Sequence, residues 1–430
     1  MAVNRGKIRS LIMRMTSDVP LDQIDDNLTP KKDLKKPKLP HSMILNQQTI
    51  SQYWKILREN TDLTLTEQKI IADPATLDHI EAYGNNIENC IGTIKVPVGI
   101  AGPIRVNGLF AQGDYYLPLA TTEAALVASY SRGARLISEA GGCSAAVIND
   151  GITRSPGFAF QNLADALKFV LWTNSQFDTF KKKSEATTKH GKLVDVRTTV
   201  EGNHVYLNFD FFTGDASGQN MVTIATAAIL DYIRQNSPVK PKHIFIEANL
   251  SGDKKASALS FLSVRGKKVT AEVILQKSLV EKHLHTTPEI LAEYWRMAAL
   301  GGVMSGTFGV QAHYANGLAA LYIATGQDVA CVSESSVGIT RLEVTPEGSL
   351  YASVTLPNIV VGTVGGGTKL PSQSIGLKLM GLSGEGKVLP FAEVCAACCL
   401  AGELSIMGAM CSGDFASAHE SLARGKKGKK

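Results

Sequence analysis

A chain of 430 residues exceeds what one hydrophobic core usually organises, so two domains are expected. Apolar residues at 44% and charged residues at 19% exclude a disordered chain and direct the search to folded sites. The net charge of +5 gathers near the two ends, in Lys31, Lys32, Lys35, Lys36 and Lys38 and in residues 424–430, leaving a nearly neutral body.

Those ends read as solvated basic tails. Contact with nucleic acid or anionic lipid is the other reading, but no motif of a nucleic-acid-binding fold accompanies them, so no nucleic-acid partner is expected. An uninterrupted apolar run of about 18 to 20 residues is not found, nor is a signal-peptide core, so the sequence predicts a cytoplasmic protein with no membrane span. Its seven cysteines lie mostly among small apolar residues, as reduced buried thiols do. Cys395 and Cys398 form a CxxC inside a small-residue helical run, and no second ligand pair follows, so no metal site is expected.

In chain order, residues 1–85 are polar and helix-prone, broken by a Pro/Lys segment at 30–40. Residues 91–106 read as strands and turns leading to 115–120. A helix is predicted from Thr121, whose hydroxyl would cap it, with Glu123 in its first turn and Leu126, Val127, Tyr130, Ala134 and Ile137 on one face. Next come a strand at 158–160, a helical pattern in Leu163, Ala166, Leu167, Val170 and Leu171, strands at 192–200 and 204–212, a helix through Val222, Ala225, Ile229 and Ile233, and a strand at 243–246. The order β-α-β-β-α-β is that of a ferredoxin-like unit. Further strands are read at 269–275, 342–344 and 350–356, with Gly/Ala/Ser-rich segments at 298–325 and 392–409. The fold class is therefore α+β: an N-terminal helical segment (1–85), a discontinuous large α/β domain (86–155 and 247–415), an inserted ferredoxin-like module (156–246) and a C-terminal tail (416–430).

Several segments are compatible with chemistry and also with ordinary structure. GDASGQN at 214–220 lies where a strand meets a helix, where exposed N–H groups and the helix dipole suit an anion; a plain loop would use the same residues. GTVGGGT at 362–368 suits either a ligand held against the backbone or a flexible turn. Glu123, Lys254, Asp328 and His419 are ionisable residues in charge-poor surroundings. An acid that donates a proton, an ammonium facing an oxyanion and an imidazole at a leaving group would use these types, as would helix caps and surface charges.

Taken together, ENCIG at 88–92, PVGIAGP at 97–103, LATTE at 119–123, DGITR at 150–154, GDASGQN, DKK at 253–255, GQD at 326–328, GTVGGGT and AGELS at 401–405 resemble, in order, the 3-hydroxy-3-methylglutaryl-CoA (HMG-CoA) reductases, nearest to the class I branch. The resemblance implies a large domain holding the CoA thioester and an inserted domain holding NADPH, with NADH possible. It implies two hydride transfers that take HMG-CoA through mevaldehyde to mevalonate. By the same resemblance Lys254 stabilises the oxyanion, Glu123 is the general acid, Asp328 couples the two and His419 protonates the CoA thiolate. Arg154, Lys255 and Asn316 would hold the substrate's carboxylate and hydroxyl, with Asp253 and Asn249 in support. Asp215, Ser217, Gly218, Gln219, Asn220, Gly365, Gly366, Gly367 and Thr368 would meet the cofactor, with Thr188 and Lys189 near its 2′-phosphate. A homodimer or dimer of dimers is implied, with the site between subunits.

Three departures stand out. Ser217 and Gln219 replace two methionines of the family's DAMGMN, and Glu247-Ala248-Asn249-Leu250 stands where the family has SGNY, replacing a substrate-contacting serine with glutamate. A lysine usual before the Gly/Ala-rich stretch has no clear counterpart, although Arg296 lies nearby. The competing expectations are a reductase of another 3-hydroxyacyl-CoA, an oxidative NAD enzyme and a catalytically idle CoA-ester-binding protein.

Overall fold

The computed structural model describes residues 44–413 without a break, together with parts of 6–42. The chain divides into two compact units, residues 1–94 and 95–430. In the first, helices Gln47–Glu59, Leu65–Ile71 and Pro74–Asp78 start at the polar caps Asn46, Thr64 and Asp73, whose side chains accept otherwise orphaned backbone N–H groups. Their apolar faces enclose Ile50, Trp54, Ala72, Ile80 and Cys90. Residues 86–94, assigned from sequence to the large domain, close this helical unit instead. Trp54 Nε1 donates to the Ile91 carbonyl at 2.7 Å, and Tyr53 OH is 2.8 Å from Asn89 Oδ1.

The second unit is built on eleven described strands. They are β1 (Val98–Gly108), β2 (Gln112–Ala120), β3 (Cys143–Arg154), β4 (Gly157–Ala159), β5 (Lys192–Glu201), β6 (His204–Phe212), β7 (His243–Phe245), β8 (Gly266–Leu275), β9 (Gly309–Val310), β10 (Gly338–Val344) and β11 (Leu350–Ile359). Strands β3, β8, β11, β10 and β9 follow one another across the main sheet, and the β1–β2 hairpin joins through β1 on β3.

Strand β3 serves two sheets. Residues 144–151 pair antiparallel with β8, with a register shift between Val147 and Asn149, and Ile152, Thr153 and Arg154 then pair with Phe211, Asp210 and Phe209 of β6. The second sheet runs β7–β4–β6–β5, all antiparallel. These four strands lie where the alternation of apolar residues puts them. Helix α2 (Leu163–Asn174) also matches its sequence pattern, whereas α3 (Phe177–Glu185) is an addition, because its run FDTFKKKSE offers little apolar periodicity. Helix α4 (Gln219–Asn236) buries Val222, Ala225, Ile229 and Ile233.

Helix α1 (Leu126–Glu139) begins later than expected. Its cap is Ala125, at φ 70°, and Thr121 instead accepts the Glu123 N–H at 2.9 Å, so Glu123 sits in a turn ahead of the helix. Helix α5 (Pro288–Ser305) buries Pro288, Leu291 and Ala292 and leaves Met297, Leu300, Val303 and Met304 exposed. Helix α6 (Tyr314–Thr325) is mostly buried.

Helix α7 (Val388–Ser412) is long and apolar enough to cross a bilayer by length and composition, although it is not the uninterrupted apolar run sought in the sequence. Glu393 and Glu403 interrupt its apolar run but are satisfied inside the protein. Glu393 accepts from the Phe110 and Ala111 N–H groups at 2.9 and 2.7 Å, and Glu403 accepts from the Ala312 and His313 N–H groups and the Thr340 hydroxyl. Twenty of its 25 residues are buried, so it is the core helix of this unit. Gly133 lets α1 touch it: a Cβ there would lie 1.9 Å from the Ala401 carbonyl oxygen. The seven cysteines are free, six of them buried.

Candidate active site

Glycine-rich turns from distant parts of the chain meet beside α4. Residue Gly218, at φ 81°, is the cap of this helix, so its first N–H groups face outward at the positive end of the helix dipole. Turn 362–368 lies against the turn before that cap, since a Cβ on Gly362 would be 2.6 Å from Ser217 N. Turn 326–328 packs on it in turn: a Cβ on Gly326 would be 2.2 Å from the Gly367 carbonyl, and Gln327 Oε1 accepts the Gly362 N–H at 2.8 Å. Gly365 and Gly366 have positive φ (73° and 51°) with nothing within 4 Å of their Cβ positions, so they line open space. Thr368 braces that turn through its hydroxyl on the Gly365 carbonyl.

Two of the expected cofactor positions have structural partners. The Asp215 carboxylate accepts from the Gly386 and Val388 N–H groups at 2.9 and 3.1 Å, which caps α7 and braces the loop. The Gln219 side chain accepts from Arg265 at 2.7 Å and donates to Cys331 Sγ. Thr188 accepts the His190 and Gly191 N–H groups, and Gly191 abuts Met221, so the turn holding Thr188 and Lys189 reaches the same end of α4 as residues 217–220.

From turn 326–328 Asp328 reaches Lys254, with Nζ 2.7 Å from Oδ2 and both side chains about half-exposed (43% and 42%). Asp328 Oδ1 is fixed by the Ala330 N–H. Lys254 sits in the left-handed region at φ 55°, its own N–H donated to Glu334 at 3.0 Å. The hydrogen bond to Asp328 raises the lysine's pKa above its ordinary 10.5. It is an ammonium held in place beside open solvent.

A network of charges supports this pair. Asp253 lies between Arg154 (2.9 Å) and Arg265 (2.7 Å), and Arg265 also pairs with the buried Glu334. Burial pushes the Glu334 carboxyl up, against the pull of Arg265. Neither Arg265 nor Glu334 stands out in the sequence: Arg265 is followed by Lys267 and Lys268, Glu334 is a charge among small residues, and the pairing spans 69 residues. Glu247 accepts from Arg154, Ser155 N, Ser251 Oγ and Asn249 N at 3.3, 3.2, 3.0 and 2.8 Å. Asn249, at φ 66°, turns the chain toward Asp253, and Lys255 is exposed with Nζ on the Asp253 carbonyl.

Glu123 lies in a second cluster. Its carboxylate accepts from Asn316 Nδ2 at 3.1 and 3.2 Å. The pair borders a cavity of about 590 Å³ walled by Leu126, Arg132, His313 and Met410 among others. Among the described residues no hydrogen bond or ion pair joins Glu123 to Lys254 or Asp328. Arg296 pairs with Glu293 on the surface of α5. His419 lies outside the described residues.

The arrangement offers a fixed ammonium, a row of helix N-terminal donors and an open glycine turn within one neighbourhood, which suits stabilisation of a developing oxyanion next to a phosphate-bearing ligand. Comparison with known proteins agrees. A protein from Pyrococcus abyssi named 3-hydroxy-3-methylglutaryl-coenzyme A reductase is 44% identical over 357 residues, covering 81% of this chain and 87% of that protein. A namesake from Aeropyrum pernix is 45% identical over 355 residues, covering 81% and 84%. The fold is like that of a class II 3-hydroxy-3-methylglutaryl-CoA reductase from Streptococcus pneumoniae bound to NADPH, with a TM-score of 0.63 over 80% of this chain and 95% of that one at 19% identity. With the sequence profile described as hydroxymethylglutaryl-coenzyme A reductase matching residues 49–424 as well, this chain belongs to that family.

Proposed function

We propose that this chain reduces HMG-CoA to mevalonate and free CoA with two NADPH, through mevaldehyde. The observation that carries this reading is the Lys254–Asp328 ion pair, set where three glycine-rich turns and the start of α4 converge. Lys254 stabilises the thioester oxyanion and then the mevaldehyde oxygen, as a charged donor aimed at developing negative charge does. Glu123 acts as general acid, Asp328 keeps Lys254 protonated and oriented, and His419 protonates the departing thiolate. Arg154, Asn249, Asp253, Lys255 and Asn316 position the acyl group, and the cavity beside Glu123 takes the CoA arm.

NADPH when bound supplies the hydride. The residues present fit it: outward N–H groups at 218–220 and the open turn at 365–368 suit a pyrophosphate, and Thr188 and Lys189 lie at the same end of α4 for the 2′-phosphate. The module from 156 to 246, with its β7–β4–β6–β5 order, is read as a ferredoxin-like cofactor domain inserted into a larger acyl-CoA domain. NADH is the alternative donor.

The active protein is read as a homodimer or dimer of dimers with the site between subunits. Two features support this: Glu123 and Lys254 sit in separate clusters, and α5 carries an apolar face exposed among the described residues. A cytoplasmic enzyme is proposed, since the one described helix apolar enough to span a membrane is in the core.

Steady-state assays with HMG-CoA and each nicotinamide cofactor test the proposal. NADPH oxidation should depend on HMG-CoA, and Lys254→Ala should lower kcat by about 100-fold or more. Turnover left intact by that substitution would remove Lys254 from its role. Because Asp328 raises the lysine's pKa, deprotonation of Lys254 should not limit kcat below about pH 10.

A further inference from the structure

We propose that Glu247 is a specificity-determining residue that weakens recognition of the substrate's free carboxylate by Arg154, through a fixed carboxylate 3.3 Å from that guanidinium. The inference rests on the reading that Arg154 meets the acyl carboxylate.

Arg154 is nine-tenths buried, its Nε has no partner, and its Nη1 already faces two carboxylates, Glu247 and Asp253. Around it the cations Arg154, Arg265, Lys254 and, at the exposed rim, Lys255 stand against the carboxylates of Glu247, Asp253, Glu334 and Asp328. The cluster therefore has no spare positive charge of its own. A substrate carboxylate that docks on Arg154 brings one more negative charge into a site where exposure of the Glu247 side chain is only 20% and screening is reduced.

Rotation does not relieve this repulsion. Glu247 is held by the Ser155 and Asn249 N–H groups and the Ser251 hydroxyl as well as by Arg154, and its backbone neighbour Ala248 donates to the Ser155 carbonyl at 2.8 Å. The carboxylate stays where it is when substrate arrives. A serine at this position, as in the SGNY pattern, would carry no charge. The exposed Lys255, bonded to the Asp253 carbonyl, is then the cation left to answer the substrate's charge.

The test compares HMG-CoA with its terminal carboxamide analogue, which has the same shape without the charge, in the full-length chain. Glu247→Ser should lower KM for HMG-CoA about tenfold and leave the inhibition constant of the carboxamide within about twofold. An unchanged KM, or an equal change for both ligands, would overturn the proposal. If Glu247→Ser lowers the melting temperature, Glu247→Gln keeps an oxygen for the Ser155 N–H, removes the charge and is held to the same outcomes. Arg154→Lys separates the two levels. If it leaves KM for HMG-CoA unmoved, the placement of the carboxylate at Arg154 is wrong; if it raises KM while Glu247→Ser does not lower it, the role of Glu247 alone is wrong.

Discussion

Helices α5 and α7 have similarly apolar sequences and opposite fates. Twenty of the 25 residues of α7 are buried, against Pro288, Leu291 and Ala292 in the 18 residues of α5. The difference lies in the neighbours. Along α7, glycines on it and its partners allow backbones to close, with Gly133 against Ala401 and Gly402 against the Tyr130 ring, and its two glutamates find backbone N–H donors. Along α5 the apolar face is left open among the described residues, with Met297, Leu300, Val303 and Met304 65–83% exposed. An apolar helix earns its stability from what covers it, and on α5 that cover is proposed to be a second copy.

Gly133→Val strikes the closed helix hardest. Its branched side chain would enter the Ala401 carbonyl, and unfolding free energy from urea titration should fall by about 3 kcal/mol. Glu403→Gln keeps the shape of α7 but turns an amide donor toward the Ala312 or His313 N–H, at about 2 kcal/mol by the same measurement. On α5 the double substitution Leu300→Asp and Met304→Asp should leave the stability of the isolated subunit within about 0.5 kcal/mol. It should also shift sedimentation to the monomer and abolish turnover. A tightly assembled, active variant would leave the exposed face without its proposed role.

The smallest effect is electrostatic and lies at the end of α1. Hydrogen bonds from Lys282, Arg135 and His283 hold Glu139 down to about 2, below its ordinary 4.5. A depressed carboxyl stabilises the folded state above its unfolded pKa and loses that contribution as pH falls through the folded value. Any difference in melting temperature between the native chain and Glu139→Gln should therefore be present at pH 7 and shrink from about pH 4.5 toward 2, remaining small because the group is at the surface.

The parts of the fold legible in the sequence are those whose residues serve one face. Strand β6 alternates cleanly, with Val205, Leu207, Phe209 and Phe211 buried, and α4 repeats at helical spacing. Strand β3 was not legible as a strand, because its last three residues answer to a second sheet and the irregularity at Val147/Asn149 resets the alternation. Ala125 at φ 70° hid the true start of α1, since alanine carries no signal for a left-handed backbone.

Within the site, the ordered motifs drew attention to Lys254 and Asp328 although neighbouring residues alone described a surface lysine and a cap. Their 2.7 Å contact, like the pairing of Arg265 with Glu334, depends on tertiary closure that no local spacing encodes. The glutamate at 247 was visible as a departure, but its grip on Arg154 was not.

The shared strand also decides how the segment from 156 to 246, proposed above as an inserted module, can be handled. Cutting it out at residues 156–246 would strip β6 of its pairing at Phe209, Asp210 and Phe211 and leave a bare backbone edge flanked by two phenylalanines, an invitation to intermolecular strand addition. A fragment that begins no later than Gly151 carries its own edge protection, and a loop grafted across the cut would have to supply the same three residues.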